Sequence, residues 1–105
     1  MIVEHRTYTL YVGKLSEYIK HYTELGLAIQ SEVLGPPVGW YYSDIGTLNQ
    51  IVHMWMYEDL NDRAKRRATL AKHPGWPKYL AAIQPLVMAQ ESKILVPAPF
   101  FTPKP

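Results

Sequence analysis

The sequence predicts a single α+β domain with the element order β-α-β-β-α-β, and three observations support this prediction. A segment rich in Val, Thr and Tyr begins the chain, at residues 2–11. Apolar residues then recur at helical spacing over residues 15–33. Residues 50–57, QIVHMWMY, are mainly apolar or aromatic on odd and even positions alike. Because alternate residues of a strand point to opposite sides, this last segment predicts a strand that is buried on both faces.

The boundaries of the elements follow from capping and breaking residues. Gly35-Pro36-Pro37 ends the first helix, Asp59 is the predicted N-cap of the second, and Pro77 lies at the start of a third, short helix. The predicted strands are 2–11, 39–45, 50–57 and 86–96, and the predicted helices are 15–33, 59–72 and 76–84. The folded domain is predicted to span residues 1–97, followed by an extended, proline-rich tail at 98–105.

This order of elements is that of a ferredoxin-like fold, a four-stranded antiparallel sheet with its helices on one face. The first and third strands lie at the centre of such a sheet, and nothing in the monomer covers its second face. Met54 and Met56 lie on one side of the predicted third strand, and a soluble monomer seldom exposes such a patch. We therefore predict an isologous homodimer through the sheet face, with further assembly left open.

Composition excludes several classes of function. The net charge of +2 is too small to indicate binding to nucleic acid or to a membrane surface. The chain has no cysteine, so no thiolate is available as a nucleophile or a metal ligand. No group of histidines and acids has the spacing of a metal site, and we expect no metal and no cofactor. No targeting segment or membrane span is recognisable, so we expect a cytoplasmic protein.

His53, in the middle of the predicted third strand, is the strongest candidate for chemistry. A neutral imidazole there would act as a general base if substrate reached it, with Tyr8 or Asn49 fixing an oxyanion. The alternative is a packed histidine whose nitrogens are bonded to neighbouring polar groups.

Two arginines on the second helix are candidates for anion binding. Arg63 and Arg67 are four residues apart and share one helix face, where planar guanidinium groups can hold a carboxylate or phosphate. The alternative is structural, with the two arginines tying the helix to the sheet or to a partner subunit. The spacing also predicts the ion pairs Asp59–Arg63 and Asp62–Arg66.

Aromatic residues are numerous, with eight Tyr, three Trp and two Phe. Tyr8, Trp40 and Trp55, together with His53, are predicted to line a cleft for a flat apolar ligand. Packing in the core and in the dimer interface is the alternative, because Tyr and Trp also find partners there for their polar ends.

Short motifs distributed over residues 2–101 resemble the NIPSNAP family, and the run GTLNQIVHMW at 46–55 is the most specific of them. The others are Arg6-Thr7-Tyr8, Gly39-Trp40-Tyr41, Tyr57-Glu58-Asp59, Arg63, Arg67, Trp76, Tyr79, Gln90-Glu91-Ser92 and Pro97. The resemblance implies a ferredoxin-like fold that assembles as a dimeric α/β barrel. Structural relatives in that group include small monooxygenases of aromatic substrates, which place the ligand between sheet and helices. The small members of the family have no assigned activity.

These observations favour a homodimeric domain that binds a small apolar or aromatic molecule between sheet and helices. The predicted ligand-binding residues are Tyr8, Trp40, Asn49, His53, Trp55, Arg63 and Arg67. One alternative is a cofactor-independent monooxygenase or proton-transfer enzyme with His53 as its catalytic base. The other is a non-catalytic structural or protein-interaction module, in which the aromatic residues only pack.

Overall fold

A computed structural model describes all 105 residues, Met1–Pro105, and confirms the predicted order of elements. The strands are β1 (Ile2–Leu10), β2 (Gly39–Tyr42), β3 (Gln50–Tyr57) and β4 (Val87–Leu95). The helices are α1 (Leu15–His21), α2 (Leu27–Leu34), α3 (Leu60–Lys72) and α4 (Trp76–Ile83). A π-helical turn, Tyr22–Gly26, joins α1 to α2, and a 3₁₀ turn, Gln84–Leu86, precedes β4.

The four strands form one antiparallel sheet with the order β2-β3-β1-β4, so β1 and β3 are central as predicted. In the register between them Arg6 lies opposite His53, and on the other side of β1 Arg6 lies opposite Ser92. Residues that lie directly opposite one another project from the same face of a sheet. The register therefore fixes which side chains of the three strands can meet.

The structure determines the direction in which each side of β3 points, which the sequence left open. Ile51, His53, Trp55 and Tyr57 are buried, whereas the residues that alternate with them are partly exposed. The buried residues belong to the face that the helices cover, and Ile51, Trp55 and Tyr57 join a core of 13 buried apolar residues. The other face, which contains Val52, Met54 and Met56, carries no helix. We refer to it below as the open face.

The long first helix departs from the regular helix that the sequence predicts. The π-helical turn brings Gly26 so close to the ring of Tyr79 that a Cβ atom there would lie 2.8 Å from Cε1 of that ring. Glycine is therefore required at this point by the contact between two helices. π-Helical turns of this kind often occur beside functional sites.

Two further predictions were wrong in detail. Strand β2 ends at Tyr42 rather than at residue 45, because the chain then enters a turn in which Gly46 and Asn49 have positive φ angles. Asp59 is the N-cap of α3, as predicted, and accepts a 2.8 Å hydrogen bond from the amide of Asp62. Its side chain makes no ion pair with Arg63, whereas the predicted Asp62–Arg66 pair is present at 2.9 Å.

The tail after β4 contains no helix or strand, but it lies against the domain. Pro103 is buried, and Pro105 borders a small cavity that is also lined by Pro36 and Met56. The last residues therefore return across one end of the sheet.

Candidate functional site

A cleft of about 700 Å³ lies between the sheet and the helices α3 and α4. Eleven of its 18 lining residues are apolar or aromatic, which suits a ligand with an apolar body. The apolar and aromatic lining includes Tyr18, Leu70, Trp76, Tyr79, Leu80 and Ile83. Strands β1 and β3 contribute Arg6, Tyr8 and His53, and α3 contributes Arg67. Edge strand β4 closes one side with Met88 and Gln90, both of them exposed.

His53 is 3% exposed and borders this cleft. Its Nδ1 accepts a 2.6 Å hydrogen bond from the indole Nε1–H of Trp55. An indole nitrogen can only donate, so Nδ1 carries no proton and the proton of the neutral ring is on Nε2. Nε2 is buried and has no hydrogen-bond partner in the protein. The ring therefore keeps one N–H donor that no group of the protein accepts from.

Burial and charge both keep this imidazole neutral. Burial lowers the pKa of His53, and the nearby cations Arg6 and Arg67 lower it further, to about 3. The carboxylate of Glu4 acts in the opposite direction but is outweighed. At neutral pH His53 is consequently an uncharged hydrogen-bond donor.

Tyr8 is the second polar group beside the imidazole. The two rings meet edge to face, with centroids 5.0 Å apart. The hydroxyl oxygen of Tyr8 accepts a 3.0 Å hydrogen bond from Nε of Arg6. A phenol that accepts through its oxygen still has its own proton to donate.

Arg6 is held in turn by a fully buried carboxylate. Oε2 of Glu4 accepts hydrogen bonds from Arg6 Nη1 at 2.8 Å, Arg63 Nη2 at 2.8 Å and Ser92 Oγ at 2.6 Å. Burial by itself would raise the pKa of Glu4, but the bonds from Arg63 and Ser92 and the charge of Arg6 outweigh it and lower the pKa to about 2. This network joins α3, β1 and β4 behind the cleft.

Arg67 differs from the other two arginines near the site. It lines the cleft and makes no ion pair or side-chain hydrogen bond within the chain. No aspartate or glutamate lines the cleft, so the positive charge of Arg67 has no counterion there. The site is therefore rich in hydrogen-bond donors and positively charged.

Three of the seven predicted ligand-binding residues, Tyr8, His53 and Arg67, come together at the cleft. The other four do not line it. Trp40 stacks on the ring of His53 with centroids 5.8 Å apart, and Trp55 is fully buried beneath it. Asn49 lies in the β2–β3 turn with a φ of 61°, and Arg63 is bonded to Glu4. Ligand binding by any of them stays a prediction.

Arg63 ties α3 to the sheet through Glu4, which is the kind of contact that the structural alternative describes. Sequence reasoning did not single out Glu4 or Arg6 as site residues. The available signals were an acid and a base two residues apart in a predicted central strand, and the presence of Arg6 in the Arg6-Thr7-Tyr8 motif. No three histidine or acidic side chains lie close enough together to hold a metal ion.

The fold and the cleft define an α+β protein with a ferredoxin-like sheet and a donor-rich site between sheet and helices. The model of the NIPSNAP family matches residues 3–102, and the chain belongs to that family. A NIPSNAP-like domain protein from Burkholderia xenovorans, itself uncharacterized, is 48% identical with a TM-score of 0.93, over 99% of this chain and 90% of that one. The NipSnap homolog of Dictyostelium discoideum is 36% identical over 90% of this chain.

The chain spans only 41% of the Dictyostelium protein, so it corresponds to one part of that longer relative. The fold extends further than the family. A Nitrosomonas europaea protein, provisionally named an antibiotic biosynthesis monooxygenase, is 12% identical with a TM-score of 0.67, over 92% of this chain and 98% of that one. At that identity the likeness concerns the fold alone. No helix of the chain has both the length and the apolar character needed to cross a membrane.

Proposed function

We propose that this NIPSNAP domain binds a small apolar or aromatic molecule in the cleft between the sheet and helices α3 and α4. The observation that carries the proposal is a buried N–H donor without a partner, Nε2 of His53, on a residue that lines a cleft of about 700 Å³. A buried donor left unpaired costs free energy, about 1–3 kcal/mol, and a ligand atom would recover it.

The alternative of general-base catalysis by His53 requires a free lone pair on its ring. Nδ1 accepts from Trp55, and Nε2 carries the proton, so neither nitrogen offers one in this arrangement. Binding is therefore the function that the geometry supports best. No catalytic step is assigned.

The binding proposal is tested by a thermal-shift screen of small aromatic and amphipathic compounds against a variant with a blocked cleft. Ala71 lines the cleft on α3, and Ala71→Trp would fill its mouth. Ala68→Trp adds the same indole at an exposed position of α3 outside the cleft and serves as the control. Compounds that stabilise the wild type and Ala68→Trp, but not Ala71→Trp, support the proposal. Equal stabilisation of all three proteins places binding elsewhere and refutes it, and a packing or interaction module then becomes the better account.

We further propose that the open face joins two copies of the chain into a homodimer. The apolar residues Val52, Met54 and Met56 of β3 lie on this face. Its edge carries Glu91 and Lys93, which pair at 3.3 Å and cancel in charge. A face that is apolar along β3, and whose exposed Glu91 and Lys93 charges cancel, can pack against a second copy of itself without strong charge repulsion.

Sedimentation velocity at micromolar concentration tests the dimer. We expect a species of twice the 12.1 kDa mass of one chain. Val52→Lys should shift it towards monomer, because a lysine would have to be buried between the sheets. Leu60→Lys, at a residue that is 59% exposed on α3, should leave the dimer intact. A wild-type protein that sediments as a monomer contradicts this proposal.

A further inference from the structure

We infer that the cleft selects ligands that carry an oxygen anion, such as a carboxylate or an enolate, on an apolar body. Tyr8 O–H, His53 Nε2–H and the guanidinium of Arg67 are the groups that would bind the anion. This inference rests on the proposed binding function and adds the chemical class of the ligand.

His53 and Tyr8 each have a hydrogen-bond donor that no other group of the protein uses. The indole of Trp55 occupies Nδ1 of His53, which leaves an N–H group at Nε2. The bond from Arg6 to the oxygen of Tyr8 leaves the phenolic proton free. Tyr8 lies opposite Ile51 and so is diagonal to His53 on the same face of the sheet, and the centroids of the two rings are 5.0 Å apart.

The cleft carries an excess of positive charge. Arg6 and Arg67 line the cleft and no acid does. Arg6 shares the buried Glu4 with Arg63, so one carboxylate serves two guanidinium groups and leaves one positive charge in excess. Arg67 adds a second uncompensated positive charge, because it has no ion-pair partner. An anion would compensate this charge in a partly water-excluded site, where Coulomb interactions are stronger than in bulk water.

The apolar part of the cleft favours a ligand with an apolar body. Beyond the polar wall the cleft is lined by Leu70, Trp76, Leu80 and Ile83. Leu70, Leu80 and Ile83 have no hydrogen-bonding group that could bind a second polar group of the ligand. A molecule with one anionic end and an aromatic or aliphatic body matches both parts of the cleft.

Arg6 is a positioning residue in this arrangement. It holds the oxygen of Tyr8 through Nε and is itself fixed by Glu4 through Nη1. Arg6 therefore acts on the ligand through the orientation of the Tyr8 hydroxyl.

Isothermal titration calorimetry with matched acid and amide pairs tests the inference. The probes are naphthalene-2-carboxylate with naphthalene-2-carboxamide, and octanoate with octanamide. We expect at least one acid to bind ten-fold or more tightly than its amide. Arg67→Gln and Tyr8→Phe should each remove most of that preference while leaving amide binding within about two-fold. Lys65→Gln removes one positive charge from an exposed position of the same helix outside the cleft, and should change neither affinity.

The outcomes separate the inference from the proposed function. If an amide binds as tightly as its acid, the cleft binds apolar molecules but the anion selectivity is refuted. If the acid is preferred but Lys65→Gln weakens binding of the acid as much as Arg67→Gln does, the preference comes from the overall positive charge of the helix. The assignment of the three donors is then refuted. If none of the four probes binds, the inference fails. The thermal-shift screen against the blocked cleft then decides whether the binding proposal also fails.

Discussion

The indole N–H of Trp55 donates a 2.6 Å hydrogen bond to Nδ1 of His53, two residues earlier on the same face of β3. This contact decides which nitrogen of the imidazole carries the proton. It turns a residue that the sequence marks as a candidate base into a neutral donor at the wall of the cleft.

The first prediction concerns stability between pH 6.5 and pH 4.5. The pKa of His53 falls from 6.5 in the unfolded chain to about 3 in the fold, so in this range only the unfolded state takes up a proton at this position. Unfolding should therefore become easier as the pH falls, by up to roughly 1.4 kcal/mol per pH unit from this group. Urea denaturation at several pH values measures the slope. His53→Gln cannot titrate and should show a shallower slope, and identical slopes would refute the assignment.

The second prediction concerns the tautomer. Trp55→Phe removes the donor to Nδ1, so the proton of His53 should distribute between both nitrogens and the preference for acids over amides should weaken. Trp40→Phe is the matched control, because Trp40 stacks on the same ring but makes no hydrogen bond to it. Long-range ¹H–¹⁵N NMR reports the tautomer in each variant. An unchanged Nε2–H tautomer in Trp55→Phe would show that this indole does not set it.

The third prediction concerns the buried carboxylate. Glu4→Gln leaves Arg6 and Arg63 without their shared anion, and should lower the free energy of unfolding at pH 7 by about 3–5 kcal/mol. Chemical denaturation measures the loss. The control is Glu91→Gln, which removes an exposed acid from β4 and should cost at most about 1 kcal/mol.

Because the pKa of Glu4 is lowered in the fold, the loss of stability caused by Glu4→Gln should depend on pH. This pKa is depressed from 4.5 to about 2 in the fold, so the contribution of Glu4 is complete above pH 4.5 and is lost as the pH falls towards 2. The difference between wild type and Glu4→Gln should shrink over that interval. A constant difference would contradict the depressed pKa.

The fourth prediction concerns the π-helical turn. Gly26→Ala places a methyl group 2.8 Å from the ring of Tyr79, which is buried and cannot easily move away. Overpacking of this kind should destabilise the protein by about 1–3 kcal/mol. Because Tyr79 lines the cleft, the affinity for any ligand found should fall as well. Glu32→Ala, at an exposed position of the next helix, should change neither stability nor affinity.

The doubly apolar β3 shows how far the sequence can predict this structure. Its residues are large on both sides, which predicts a strand at the centre of the sheet, and β3 does lie there. Because both sides of β3 are apolar, the sequence pattern cannot show which side faces the helices. The direction is seen only in the folded protein, where Ile51, His53, Trp55 and Tyr57 are buried under the helices.

The network around Glu4 shows where sequence reasoning fails. Helical spacing predicts that Arg63 pairs with Asp59, four residues away, but the arginine reaches a carboxylate 59 residues away. Ser92 joins the same oxygen from a distance of 88 residues. Helical spacing predicts contacts only between residues of the same helix. A buried charge is instead paired by side chains that the fold brings close from distant parts of the chain. The π-helical turn is similar, because its cause is the approach of Tyr79 from another helix.

The proposed binding requires Nε2–H of His53 to donate a hydrogen bond to a ligand in the cleft. Long-range ¹H–¹⁵N NMR of the wild-type protein at pH 7 tests it most directly, with His53→Gln to assign the resonances. We predict a neutral Nε2–H imidazole, whose Nε2 proton resonance moves downfield when naphthalene-2-carboxylate or octanoate is added. A proton on Nδ1, or an Nε2–H resonance unchanged by a saturating ligand, would contradict the account.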